Sequence, residues 1–226
     1  MSDAVFALGS CRAMVPLQYL HRAGRITLAN LGRHWYAHNS KDFLQRIALM
    51  QGHLQLPPEA LDLVLDQDSC SAGAEALTAP MDWPDLAVFE ISTRNIKRLN
   101  GHVLHSTLIA KRGVKDYEDS IDSFDALEAD IRSLQAVFPR LVIGCNITLD
   151  AGLASHNIHR QKLNVFLADL ATRLPGLAVV DPNSLIDMAN PRAVLEDNNH
   201  FLSSATPQLA ALYLKAIQGL SKPQSV

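Results

Sequence analysis

The chain has 226 residues, 48% of them hydrophobic and 19% charged, with a formal net charge of -3. That suffices for one sizeable core, and the weak negative charge excludes a general attraction to nucleic acid or to an anionic membrane. No apolar run approaches the roughly 18 residues of a spanning helix, and three scattered cysteines (Cys11, Cys70, Cys145) argue against a disulfide framework. Met1-Ser2-Asp3 lacks the basic, apolar character of a leader, so a cytoplasmic protein is expected.

In chain order, the apolar run Ala4–Leu8 predicts a buried parallel strand. A first helix follows over Arg12–His21, with Pro16 near its opening turn. Arg25–Asn30 is a second short strand, and Ser40 or Asp42 caps a helix running to Met50. Pro57-Pro58 opens another helix, and the small, Gly/Ala/Pro-rich stretch Ser69–Pro84 reads as a surface connection. Strands are expected at Leu86–Ile91, Leu141–Ile147 and Leu177–Asp181. Helices are expected at Ser123–Phe138, Ile158–Leu174 and Ser203–Leu220. This alternation predicts a parallel sheet covered on both faces, in one domain spanning 1–226. The active site of such a sheet lies at the carboxyl ends of its strands.

Two motifs fall at those ends. Gly9-Ser10-Cys11-Arg12 leaves the first strand, and Asp197-Asn198-Asn199-His200 lies between the fifth strand and the last helix. A serine hydroxyl is a poor nucleophile until a base takes its proton. His200 is the candidate base, and Asp197 is placed to accept Nδ1–H so that Nε2 faces Ser10. Gly9 allows a sharp turn, and the Ser10 N–H can point at a developing oxyanion. The bland alternative is a helix-capping serine and a surface histidine. Cys11 is expected to be a small side chain packed beside the serine, not the nucleophile.

These residues resemble the SGNH, or GDSL-like, hydrolase superfamily, and Gly9-Ser10-Cys11-Arg12 is most similar to its Gly-Ser-Cys-opening branch, the GSCFA-like and bacterial polysaccharide-biosynthesis proteins. The resemblance implies a three-layer α/β/α sandwich with a five-stranded parallel sheet, and an acyl-enzyme on Ser10. It also implies oxyanion donors in two middle blocks. For the second block Gly32 is the candidate, with Asn30 or Asn39 as alternatives. For the third block Asn95 is the candidate, with Arg94 or Thr93 as alternatives, and it ranks ahead of Asn146 because the literal Gly144-Cys145-Asn146 lies one strand too late. The implied reaction is hydrolysis of O-acyl or O-acetyl groups on a carbohydrate or small metabolite. An acyltransferase using an acyl-CoA-type donor, and a non-catalytic sugar- or CoA-binding protein, are the alternatives. No cofactor is required.

The stretch from Ile91 to Lys115 contains no acidic residue but carries Arg94, Lys97, Arg98, Lys111, Arg112 and Lys115. It is either a solvated face or the rim of a site for an anionic substrate. A lid or rim insertion is expected over 92–122. Arg12, Arg94, Asn39, His38, Lys111 and Arg112 are the candidate substrate contacts. The pairs His34/His38, His102/His105 and His156/His159 lack a companion ligand, so no metal site is expected. Trp35, Tyr36 and Trp83 are read as core residues before sugar platforms.

Overall fold

The computed structural model describes residues 2–33, 36–65, 79–149, 154–187 and 189–220. Most of the expected surface connection 69–84, together with His34, Trp35 and Cys70, lies outside the described residues.

Five parallel strands form one sheet: β1 (Asp3–Leu8), β2 (Ile26–Leu28), β3 (Leu86–Glu90), β7 (Arg140–Gly144) and β8 (Leu177–Val180), in the order β2-β1-β3-β7-β8. Their side chains alternate between two cores, as the strand period of two requires. Phe6, Leu8, Phe89, Leu141 and Ile143 face one core. Val5, Ala7, Val88 and Val142 face the other. The first core is closed by α2 (Ser40–Met50), α5 (Phe124–Val137) and α6 (Ala154–Arg173), through Phe43, Ile131 and Leu167 among others. The second is closed by α1 (Cys11–Arg22) and α7 (Thr206–Gly219), through Leu17, Leu209 and Tyr213. The result is the expected three-layer sandwich. Trp83 stacks on Phe6 at 5.3 Å and belongs to the core.

From β1 the chain moves to β2 on one side and to β3, β7 and β8 on the other, so the strand order reverses between β1 and β3. Ligands of open α/β sheets collect at such a switch point, beyond the carboxyl ends of the strands. The Gly9-Ser10 step is at that place. Gly9 does not adopt a left-handed backbone. Its need for glycine is a close approach: a Cβ there would stand 2.9 Å from Glu90 Cβ and 3.1 Å from Ala13 Cβ. Gly9→Ala is expected to lower stability by about 1–3 kcal/mol through overpacking, measured by chemical denaturation.

The segment after β3 is more ordered than a basic loop. It contains β4 (Asn95–Leu99), β5 (His102–Val103), α4 (Ser106–Arg112) and β6 (Glu118–Ile121), and the strands form an antiparallel sheet in the order β5-β4-β6. Asn100-Gly101 turns the first hairpin, both with positive φ (50° and 83°) and with Leu99 paired to His102. Asn-Gly between two short strands is a hairpin signal in its own right. A further helix, α3 (Pro58–Val64), begins at the Pro57-Pro58 pair.

Candidate active site

One cavity of about 600 Å³ opens over the carboxyl ends of β1 and β3. Ser10, His38, Asn39, Asn95, Arg160 and His200 are among its lining residues. The β4–β6 sheet supplies one wall through Asn95, Lys97 and Ile121. The two terminal motifs, 190 positions apart in sequence, therefore share one concavity.

Ser10 is the N-cap of α1, and its Oγ accepts from the Arg12 N–H at 3.3 Å. The same hydroxyl donates to Glu90 Oε2 at 2.5 Å, and the Ser10 N–H donates to that oxygen at 3.1 Å. Glu90 ends β3 and is fully buried. Its other oxygen, Oε1, accepts from Arg12 Nε at 2.8 Å and from an Arg12 terminal nitrogen. Arg12 reaches Asn146 Oδ1 at 3.4 Å. Burial alone would raise the Glu90 carboxyl, but the Arg12 charge and the hydrogen bonds from Ser10 and Arg12 hold it below the usual carboxylate range. Burial, and then the Glu90 charge, push the Cys11 thiol up, which opposes thiolate formation.

His200 sits on a tight turn closed by the Leu195–Phe201 bridge. Asp197 Oδ1 accepts from the N–H groups of Asn199 (2.6 Å) and His200 (2.8 Å). Asp197 Oδ2 lies 2.7 Å from His200 Nδ1, so the Nδ1–H tautomer donates to it and leaves Nε2 for the cavity. The hydrogen bonds from the His200 side chain and from the turn hold the Asp197 carboxyl below its ordinary value. Among the described residues no hydrogen bond joins Ser10 to His200.

Arg160, on α6, ties the turn down. Its guanidinium donates to the carbonyls of Ile147 (3.2 Å) and Asn198 (3.1 Å) and to Asn199 Oδ1 (2.5 Å). Burial and the neighbouring Arg12 charge lower its pKa. Arg160→Gln is expected to loosen the turn, raising amide hydrogen exchange at 197–200 by roughly tenfold while the β1–β3 core keeps its protection.

The remaining candidates fall into two groups. Asn39, Asn95, Thr93, Arg94 and His38 line the cavity. Asn39 caps α2 through Asp42 N–H at 2.9 Å. Arg94 lies over the Phe124 ring at 4.0 Å and donates to the Asp122 carbonyl. Burial pushes His38 down, towards the neutral imidazole, and its Nδ1 is 3.3 Å from Ser92 Oγ. Gly32, Lys111 and Arg112 are not cavity-lining. Gly32 is a positive-φ turn residue (78°), and Lys111 and Arg112 form the last turn of α4. Asn30 is buried and clamps the Ala7 backbone through both amide atoms. Asn146 is buried beneath the site and donates to the Ile91 carbonyl. The Ser10 N–H, expected to face an oxyanion, is turned inward to Glu90. Among the described residues no His, Cys, Asp or Glu cluster is arranged to hold a metal.

Reading the sequence missed Glu90 and Arg160. Glu90 had a visible signal, a single acid closing the otherwise apolar run Leu86-Ala87-Val88-Phe89. Arg160 had none, because its partners lie on a distant turn.

The fold so assembled is an SGNH-like α/β/α sandwich. It is shared with a mutant of an acetyl-xylooligosaccharide esterase from Geobacillus, at a TM-score of 0.53 and 11% identity over 99% of this chain and 97% of that one. It is also shared with a protein assigned to the lipolytic G-D-S-L family from Desulfitobacterium hafniense, at 0.50 and 8% identity over 95% and 99%. No curated protein matches the sequence. The chain belongs to the TviD N-terminal domain family, whose model matches residues 4–120. No helix among the described residues is long and apolar enough to cross a membrane.

Proposed function

We propose that this protein is a serine-dependent acyl-ester hydrolase, removing O-acyl groups such as acetyl from a carbohydrate or small metabolite. Ser10 is the nucleophile, His200 the base and Asp197 the group that orients it. The observation that carries this reading is the Asp197–His200 contact of 2.7 Å on the wall of the cavity that Ser10 lines. A base oriented by a carboxylate and sharing a concavity with a capped strand-end serine is the constellation acyl transfer needs. The scaffold is one on which acetyl-xylooligosaccharides are de-esterified in another protein, which supports acyl esters as the substrate class. Asn39 and Asn95, both lining the cavity, are the side-chain donors for the oxyanion.

The acyl acceptor or donor carries an anionic group in this reading. Arg94 and Arg160 line the cavity, and among the described residues neither has a carboxylate partner. Lys97 is answered by Asp119. The anionic group supports a phosphorylated or acidic sugar. It equally fits an acyl-CoA-type donor, on which the same Ser10 acyl-enzyme would pass its acyl group to a hydroxyl instead of water.

The test is labelling with a fluorophosphonate probe, with the modified residue mapped by mass spectrometry. Modification at Ser10 is expected. Absence of modification, with acyl-ester turnover persisting in Ser10→Ala, would sink the proposal in favour of a binding protein on this fold or another catalytic centre. Release of free acetate from an O-acetylated acidic sugar distinguishes the hydrolase from a transferase.

A further inference from the structure

Resting on the serine reading above, we propose that Glu90 is a positioning residue that holds the hydroxyl proton of Ser10 in a resting rotamer, and that Ser10 must leave Glu90 before it attacks.

Geometry carries the inference. An acylating serine needs its Oγ–H on the base, and its own N–H is a natural oxyanion donor. Here one carboxylate oxygen takes both, Oε2 of Glu90, at 2.5 Å and 3.1 Å. The arrangement is built into the backbone, because Gly9 admits the Glu90 Cβ where any side chain would collide. It is also fixed from behind: Arg12 occupies Oε1, and Asn146 at the end of the next strand supports Arg12. Ser10, Glu90 and Asn146 thus stand at the carboxyl ends of the adjacent strands β1, β3 and β7, so the chain of contacts crosses the centre of the sheet.

The Arg12 pair decides between two roles for Glu90. A carboxylate held below its ordinary range by a buried guanidinium is a poor base and a good, permanent acceptor. It holds the serine proton without removing it. In the attack, Oγ–H leaves Glu90 for His200 Nε2 and Oγ bonds the acyl carbon while the carbonyl π pair moves to its oxygen; that pair then reforms the carbonyl as the ester C–O bond breaks, and the proton on His200 passes to the departing alcohol oxygen. Glu90 remains ionised throughout.

The experiment compares second-order rates of fluorophosphonate labelling in the wild-type protein, Glu90→Gln, Glu90→Asp and Ser10→Ala, with folding checked by circular dichroism. In this labelling the Oγ–P bond forms, fluoride leaves, and the hydroxyl proton passes to His200. A neutral amide is a weaker acceptor than a carboxylate, so Glu90→Gln is expected to label roughly three- to tenfold faster. Glu90→Asp keeps the charge for Arg12 but withdraws the acceptor by one methylene. It is expected to move the same way, and it decides the matter if Glu90→Gln does not fold. Unchanged or slower labelling in folded Glu90→Asp overturns the proposal. Loss of labelling in folded Glu90→Gln also overturns it, since Glu90 would then be the base. Equal labelling of wild type and Ser10→Ala is a separate failure, because it removes the serine reading itself and the proposal with it.

Discussion

Ser10→Ala is expected to lower acyl-ester turnover by on the order of a thousandfold or more, with the fold intact. The methyl group of alanine fills the space of the serine Cβ and removes only the hydroxyl. The variant loses one helix cap, worth about 1 kcal/mol, and the hydrogen bond to Glu90. That loss is too small to unfold a domain of this size, so a large drop in turnover reports chemistry. His200→Ala is expected to cost a comparable factor, and the double variant little more, because nucleophile and base act as one unit. Steady-state kinetics on a chromogenic acetyl ester measures all three. Additive losses would show that Ser10 and His200 do not work together. The contact between Asp197 and His200 involves half-exposed side chains, so it orients the imidazole and contributes little to stability.

Arg12→Met is expected to destabilise the protein by roughly 3–5 kcal/mol, because it strands the Glu90 carboxylate without a counter-charge in the interior. For a chain of this length the melting temperature should fall by about 10 °C. The pH dependence has a definite sign. In the wild-type protein the folded-state pKa of Glu90 is depressed. Its stabilising contribution is complete above the unfolded value of about 4.3 and is lost only as pH falls through the lower folded value. Without Arg12, burial dominates and the folded pKa rises above the unfolded one. The variant then regains stability as acid neutralises the buried group. The deficit between the two proteins should therefore be widest at neutral pH and narrow towards pH ~4. Thermal unfolding across that range measures it, and a constant deficit would mean that Arg12 acts by packing alone.

Much of the fold was legible because its signals are local. The apolar runs at Ala4–Leu8, Leu86–Ile91 and Leu141–Ile147 read as buried strands and are strands, and Ser123 caps its helix through Ala126 N–H as expected. The antiparallel sheet over 95–121 is masked in the sequence by its basic character. Its strands are short, β4 mostly part-buried and β6 exposed throughout, so no hydrophobic period marks them, and only the Asn100-Gly101 turn signals a hairpin. Arg12 shows the limit of composition. As a lone cation after a nucleophile it fits a substrate contact and a structural ion pair equally, and in the fold it lines the cavity while pairing with the buried Glu90.

By itself the sequence determined the succession of strands and helices, and with it the placing of Ser10 and of Asp197/His200 at the carboxyl ends of strands. Those features depend on periodicity, caps and turn residues within a few positions of one another. The tertiary structure alone decided who the neighbours of Ser10 are. Glu90 is 80 positions away and meets Ser10 because β3 pairs with β1. Asn146 meets Arg12 because β7 pairs with β3. Which strands lie side by side is a property of the whole packed sheet. Only that packing turns an acid at a strand end into a buried, ionised partner of the serine.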